Sequence, residues 1–388
     1  MKFRRLCAFL LVLLLSVVFP QFCLANDERT DGYFTIYDEK TNKKIFATAR
    51  MIHVGDQYLD EKNNLYEIIR IEGDKGYAVL KEKIDLEKVL KELQLSNHQK
   101  SAMSTSYYAE QQKKVAIYHT HSDESYVPTD GKASIPYNGG IFKVGKALKE
   151  ALEERGITVL HSERPHDPHD AAAYERSRRT AMELLKQNPD AILDIHRDAV
   201  PAEEYTGHVN GQPVAKVQLV VGRQNPQMKT INNFAWQIKA VADKKYPGLI
   251  KGIFYGKGNY NQDLFPRTIL IEAGTYTNYR EKAQDGVQIL ADVIATTLYG
   301  TDYQKKAAPG GGSTTQIPGE RGSVLRSLLG IVAIGALGFI GYMLISTGGW
   351  KELSSKIGRF LSSEFANFLG NIRLGKKDDG NGSKRDES

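Results

Sequence analysis

Between Val115 and Gly300, strand-like and helix-like sequence patterns alternate along the chain. Short apolar runs such as VAIYHT, ITVLHSE and AILDIHRD are separated by amphipathic stretches such as IFKVGKALKEALEERG and AAAYERSRRTAMELLKQ. Parallel strands need a crossover connection, which is usually a helix, so this order is typical of α/β folds. We therefore predict an α/β domain over residues 111–303, with a largely parallel sheet and helices on both faces.

A β-rich segment precedes this domain. Residues 30–84 alternate apolar and polar positions, and the turn-like pieces DEKTNKK and EGDKG separate the alternating runs. This pattern predicts a small β-rich module, which together with a connector covers residues 26–110. No group of side chains in it suggests a reaction, so we interpret the module as a spacer or binding module.

The N-terminus has the layout of a secretory signal peptide. A basic start precedes an apolar run, and small residues follow as far as Ala25. We predict a signal peptide over residues 1–25 that is cleaved after Ala25, with an uncleaved anchor as the alternative. The two cysteines, Cys7 and Cys23, lie inside this segment. The mature chain would then have only histidine and carboxylate side chains for a transition-metal site.

A second apolar stretch, residues 328–347, contains no charged side chain. Its length, at about 1.5 Å per residue, covers the roughly 30 Å core of a bilayer, which predicts a transmembrane helix rather than a buried globular one. A flexible linker precedes it at 304–322, and an amphipathic segment with a charged tail follows at 348–388. We expect a single-pass protein of the cell membrane whose folded part faces the cell wall and whose C-terminal tail is cytoplasmic.

The net charge of +6 is modest for 388 residues. It suits anionic surfaces such as wall polymers or lipid headgroups. The sequence has no dense basic stripe with interleaved aromatic residues, so we expect no nucleic-acid partner.

Three predicted strands end in side chains that can bind or activate a metal. His121 and Glu124 follow VAIYHT as an H-x-x-E pair, His196 ends AILDIHRD, and Glu272 lies in TILIEAG. Ligands of open α/β sheets bind at the carboxyl ends of the strands. If these strands are neighbours, the four side chains meet at one edge of the sheet.

Zinc in hydrolytic sites typically has three protein ligands and one position for water. We predict His121, Glu124 and His196 as the ligands, and Glu272 as the general base that later protonates the leaving amine. Arg197 follows His196 and could assist a developing oxyanion.

The remaining histidines near these strands receive weaker assignments. His119 is an alternative ligand to His121, but we favour a supporting structural role for it. His161, His166 and His169 lie in the Pro-containing stretch HSERPHDPHD. They could form another metal-binding cluster, but we favour an exposed loop at the rim of the cleft.

The same residues resemble a known family. The stretches IYHTHSDESYVP, LDIHRDAVP and YNQDLFPRTILIEAGTYTN, in this order, resemble stage II sporulation protein P, a cell-wall hydrolase family of endospore-forming bacteria. The resemblance covers roughly Lys114 to Leu298. More distantly, the plan of two strand-end histidines and a strand-borne glutamate is similar to zinc N-acetylmuramoyl-L-alanine amidases.

The resemblance implies hydrolysis of the amide between N-acetylmuramic acid and L-alanine in peptidoglycan, with associated endopeptidase cleavage of stem peptides. It also implies action during forespore engulfment together with stage II sporulation proteins D and M. The family's metal-binding histidines match His121 and His196, and its catalytic glutamate matches Glu272. In the wider amidase group the glutamate ligand lies nearer the following helix, where this chain has SIPYNGGIFKVG without an acid, which favours Glu124.

The chain differs from the family's usual layout, in which we expect a membrane anchor near the N-terminus. Two other functions also stay open. One is a carboxypeptidase-like zinc peptidase that acts on stem peptides and holds a terminal carboxylate with Arg197 or Arg267. The other is a non-catalytic, wall-binding scaffold of the engulfment machinery.

Overall fold

The structure is a computed structural model that describes residues 28–29, 31–92 and 113–300. Its strands are β1 Phe34–Asp38, β2 Lys44–Thr48, β3 Gln57–Leu59, β4 Asn64–Glu72, β5 Lys75–Lys83, β6 Lys114–Tyr118, β7 Thr158–His161, β8 Ala191–Asp198, β9 Thr206–Val209, β10 Gln212–Ala215, β11 Val217–Gly222, β12 Ile250–Gly256 and β13 Thr268–Thr275. The long helices are α1 Ile141–Glu153, α2 Ala173–Leu185, α3 Met228–Lys245 and α4 Arg280–Tyr299. Residues 86–92 are also helical, and short helical turns cover Val127–Asp130, Ala202–Glu204 and Gln262–Leu264.

Eleven of these strands form one sheet, in the order β2, β1, β5, β4, β3, β12, β11, β13, β8, β6 and β7. The strands β9 and β10 form a separate two-stranded sheet. The sheet is mixed, so the prediction of a largely parallel sheet is wrong. Its largest parallel block consists of β13, β8, β6 and β7. The pairs β11–β12 and β1–β5 are also parallel, whereas β11 runs antiparallel to β13.

The connections explain the reversal at β11. A helix connects β6 to β7, β7 to β8 and β11 to β12. In each case the two connected strands run in the same direction. No long helix lies between β8 and β11, or between β12 and β13. A chain without a crossover helix reverses direction more easily than it returns in parallel.

The strands of residues 34–83 extend the same sheet rather than forming a separate one. β3 pairs antiparallel with β12, with Tyr58 opposite Phe254. An apolar cluster continues across this junction, where the ring of Phe46 stacks on Tyr58 with centroids 3.9 Å apart. Side chains of the predicted β-rich module can therefore reach the α/β part of the chain.

Helices cover both faces of the parallel part, as predicted. Alternate residues of a strand point to opposite faces. Val115 and Ile117 of β6 pack in the large core with α1, α3 and α4. Ala116 and Tyr118 pack in a second cluster with α2.

Several predicted segments lie outside the described residues. These are the signal peptide, most of the connector after residue 92, the linker, the transmembrane helix over 328–347 and the C-terminal tail. Among the described helices, none combines the length and apolar character that a membrane crossing requires.

Candidate metal and catalytic site

The carboxyl ends of three neighbouring strands carry the predicted site residues. β8 lies between β6 and β13, and the three strands run parallel. His121 and Glu124 lie in the loop after β6, and His196 lies near the end of β8. Glu272 of β13 is paired directly with His196 across the two strands. All four side chains are buried, with exposed fractions of 1% or less.

The side chains of His121 and His196 lie close enough for their ring nitrogens to bind one metal ion. The ring centroids of His121 and His196 are 5.3 Å apart, and the ring planes are nearly perpendicular. A ring nitrogen of each and a carboxylate oxygen of Glu28 lie within 4.8 Å of one another. This is the donor chemistry of a zinc or similar dication site.

His196 has a carboxylate near each of its ring nitrogens. Its Nε2 is 3.0 Å from Asp194 Oδ1, and its Nδ1 is 3.6 Å from Glu124 Oε1. Asp194 is itself held by the backbone N–H and the hydroxyl of Thr120, at 2.9 and 2.6 Å. A carboxylate on one ring nitrogen commonly orients a histidine whose other nitrogen binds a metal. In a tetrahedral zinc site with bonds of about 2.1 Å, two ligand atoms lie about 3.4 Å apart. The 3.6 Å between His196 Nδ1 and Glu124 Oε1 is therefore compatible with both atoms binding one zinc ion.

The charges around His196 favour a cation at this point. Burial alone would lower the pKa of His196, but Asp194 and Glu124 outweigh burial and raise the pKa well above its usual value. Burial would likewise raise the pKa of Asp194, but His196 lowers it to about 2. The surplus negative charge can be balanced by a proton or by a bound dication.

Glu124 is anchored from the strand β8. Its Oε2 accepts the backbone N–H of Arg197 at 2.9 Å. The Arg197 guanidinium lies 3.7 Å from Oε1 and donates to the carbonyl of Ala133 at 3.1 Å. The structure thus brings Arg197 against the proposed ligand Glu124, while its assistance to an oxyanion stays a prediction.

Glu272 is bound to a residue that the sequence analysis did not assign. Arg50, which follows β2, donates from Nε to Glu272 Oε1 at 2.8 Å, and its Nη2 lies 2.7 Å from the same oxygen. Glu272 Oε2 has no hydrogen-bond partner among the described residues. Burial raises the pKa of Glu272 to about 8, although Arg50 acts in the opposite direction.

Two further residues lie at the site: Glu28, which sequence reasoning missed, and His169, which it assigned to an exposed loop. Glu28 Oε1 is 3.2 Å from Arg50 Nη2, and its other oxygen is 3.6 Å from His169 Nε2. Glu28, Glu124 and His169 form a second group whose possible ligand atoms lie within 4.8 Å of one another. No motif marks Glu28. The single hint at Arg50 is its position directly after the apolar run IFATA.

The interpretation of HSERPHDPHD as an exposed loop is wrong for its histidines. The ring of His169 stacks on His121 with centroids 3.9 Å apart, and its Nδ1 is 2.9 Å from Asp123 Oδ1. Burial would lower the pKa of His169, but hydrogen bonds to Asp123 and Glu28 raise it to about 10. His166 is also buried, with Nδ1 2.7 Å from the carbonyl of His119. This stretch therefore packs against the site because its histidines find buried partners.

His119 is outside both groups of possible metal ligands. Its Nδ1 is 3.0 Å from the carbonyl of Ile195, and its Nε2 is 2.9 Å from His161 Nε2. Both ring nitrogens thus have protein partners, which suits the structural role favoured for His119.

The sequence profile of the stage II sporulation protein P family matches residues 41–295. Stage II sporulation protein P of Bacillus subtilis (strain 168) is 32% identical over an alignment of 223 residues, and the match covers 53% of this chain and 55% of that protein. The chain thus matches about half the length of this curated relative.

Solved structures with weaker similarity include an N-acetylmuramoyl-L-alanine amidase from Clostridium difficile 630. It is 16% identical with a TM-score of 0.31, over 49% of this chain and 98% of that one. The N-acetylmuramoyl-L-alanine amidase AmiC2 of Nostoc punctiforme is 15% identical with a TM-score of 0.27, over 49% and 97% of the two chains.

Proposed function

The chain belongs to the stage II sporulation protein P family, and on that premise we propose that it is a zinc-dependent peptidoglycan hydrolase of sporulating cells. The bond we assign to it is the amide between N-acetylmuramic acid and L-alanine, with endopeptidase cleavage of stem peptides as an associated activity. The assignment of this bond follows from the resemblance of the strand-end motifs to the family.

One observation carries the proposal: two histidines and two glutamates, His121, His196, Glu124 and Glu272, are buried together at the ends of three adjacent strands. His121, His196 and Glu124 would hold the zinc, with Glu124 Oε1 3.6 Å from His196 Nδ1. The carboxylate grouped with both histidines within 4.8 Å is that of Glu28, which is the alternative third ligand. Bound zinc would polarise the amide carbonyl and lower the pKa of a bound water.

The protein's own groups supply the proton transfers. Glu272 accepts a proton from the attacking water through Oε2 and passes it to the leaving amine, so a single carboxyl acts first as base and then as acid. Its pKa of about 8 is suited to both roles near neutral pH. Asp194 orients His196, and Arg197 keeps Glu124 in place.

We further propose that the enzyme acts at the outer face of the cell membrane. The support is the sequence pattern, in which residues 328–347 are long and apolar enough to span a bilayer and the linker 304–322 gives the enzyme reach into the wall. The resemblance to the family favours stage II sporulation proteins D and M as partners.

The test uses the full chain on purified cell-wall sacculi, with His196→Ala and Glu272→Ala beside the wild type. We expect the wild type to bind zinc and to release free N-terminal L-alanine. His196→Ala should lose both zinc and activity. Glu272→Ala should keep the zinc and lose the activity, because Glu272 transfers protons and is not a ligand.

Other products would point to the two alternatives. Release of single C-terminal amino acids would indicate a carboxypeptidase-like enzyme. If cells carrying Glu272→Ala complete engulfment normally, the protein acts as a scaffold and the enzymatic proposal is wrong.

A further inference from the structure

Arg50 contacts Glu272 in a way that leaves one carboxylate oxygen available. Nε and Nη2 of the guanidinium both approach Oε1, at 2.8 and 2.7 Å. Oε2 has no hydrogen-bond partner within the part of the chain that the structure describes. The contact therefore fixes the rotation of the carboxylate and presents Oε2 as the proton-accepting atom.

The guanidinium is itself held from several sides. The Arg50 side chain is 1% exposed, and its Nη2 lies 3.2 Å from Glu28 Oε1. Its Nη1 donates to the hydroxyl of Tyr174 at 3.4 Å, and the ring of Tyr260 lies 5.3 Å from the guanidinium carbon. A buried guanidinium with partners on different nitrogens has little freedom to turn. Arg50 can thus transmit a fixed orientation to Glu272.

We propose that Arg50 is a positioning residue, which holds the Glu272 carboxylate so that Oε2 faces the reacting water and the leaving amine. This inference rests on the proposed function, because it assigns a role in the same reaction. The assignment is not obvious from the sequence, since Arg50 belongs to the β-rich segment that we interpreted as a spacer or binding module. The segment supplies part of the catalytic arrangement through its edge-to-edge pairing with the sheet.

The positive charge of Arg50 also supports its role in positioning Glu272. The guanidinium of Arg50 is ion-paired with two buried carboxylates, with Nη2 2.7 Å from Glu272 Oε1 and 3.2 Å from Glu28 Oε1. Removing Arg50 would leave a buried carboxyl group next to other acids without its main cationic partner.

The experiment compares the full-length Arg50→Lys and Arg50→Ala variants with the wild type. Arg50→Lys keeps the charge and loses the two-nitrogen contact, while Arg50→Ala opens a space that added ethylguanidinium can enter. We expect kcat to fall about 100-fold in both variants, with KM changed less than about twofold, since a small misplacement of a catalytic group has effects of this size. Zinc content and melting temperature of Arg50→Lys should stay close to the wild type. Ethylguanidinium should restore part of the activity of Arg50→Ala.

Arg223→Ala is the matched control. Arg223 also directs Nε and Nη2 to a single carboxylate oxygen, Asp56 Oδ1, at 3.0 and 2.6 Å, and it joins the same two parts of the chain. It makes no hydrogen bond to Glu272. We expect this variant to keep its kcat and to be unaffected by ethylguanidinium.

Two results would overturn the inference. One is an unchanged kcat in Arg50→Lys. If Arg50→Ala does not fold, the kcat of Arg50→Lys alone tests the inference. The other is a loss of kcat that merely follows loss of zinc or of the fold and that ethylguanidinium does not reverse. Failure of the proposed function would give a different result. In that case the wild type would release no N-terminal L-alanine, and His196→Ala would not differ from the wild type.

Discussion

Glu272 of β13 and His196 of β8 are paired side by side in two parallel strands. The proposed proton carrier and a proposed metal ligand are thus neighbours on a rigid sheet, and their separation does not depend on a flexible loop. Sites built on strands keep their geometry more closely than sites on loops.

The first prediction concerns which carboxylate binds the metal. Glu124 Oε1 and Glu28 Oε1 both have no hydrogen bond among the described residues. Glu124 Oε1 lies 3.6 Å from His196 Nδ1, whereas the two oxygens of Glu28 lie 3.2 Å from Arg50 Nη2 and 3.6 Å from His169 Nε2. We expect Glu124→Gln to weaken zinc binding by more than about 100-fold and Glu28→Gln by less than about 10-fold. Competition titration with a chelator measures both. The opposite ranking would assign the metal to Glu28, His121 and His196.

The second prediction concerns Asp194, which orients His196 through Nε2. Asp194→Asn keeps the size of the side chain and one acceptor oxygen but loses the negative charge. We expect zinc affinity to fall about 10- to 100-fold, the usual effect of removing an outer carboxylate from a metal-binding histidine. Circular dichroism controls for folding. An affinity equal to that of the wild type would mean that Asp194 has no influence on the metal.

The third prediction concerns pH. A histidine binds a metal only after losing its proton, and the acids around His196 raise its pKa in the metal-free protein. Zinc must displace this proton, so affinity should fall as the pH decreases and should still be rising with pH above the ordinary histidine pKa of about 6.5. Isothermal titration in buffers of different ionisation enthalpy measures the released proton. If no proton is released at neutral pH, His196 is already neutral there.

The fourth prediction concerns Gly145 in α1. In an exposed helix Gly→Ala stabilises by about 0.5–1 kcal/mol. Here a Cβ at this position would lie 2.5 Å from His119 Nε2 and 2.8 Å from His161 Nε2. We therefore expect Gly145→Ala to lower the free energy of unfolding by about 1–3 kcal/mol, because both rings must move.

Denaturant unfolding measures this change. Lys146→Ala, on the exposed side of the same helix, should stay within about 0.5 kcal/mol of the wild type. A stabilised Gly145→Ala variant would show that the paired rings of His119 and His161 have room to shift.

The sequence by itself determined the local elements and the strand ends that carry His121, His196 and Glu272. The four long helices of residues 113–300 and the strands of its main sheet follow from the periodicity of apolar side chains, which is a property of neighbouring residues. The hairpin of β9 and β10 was not predicted. The mixed character of the sheet did not follow, because the direction of β11 depends on a connection that has no helix.

Only the tertiary structure decided that the β-rich segment joins the sheet and brings Arg50 to Glu272, 222 residues further along the chain. It also decided that Glu28 and His169 lie beside the two histidines. Strand pairing depends on which edges meet in space, and no local pattern of side chains encodes that choice. Periodicity therefore predicted where the long helices and the strands that carry the site run, and the packing of distant edges determined which charged side chains meet at the site.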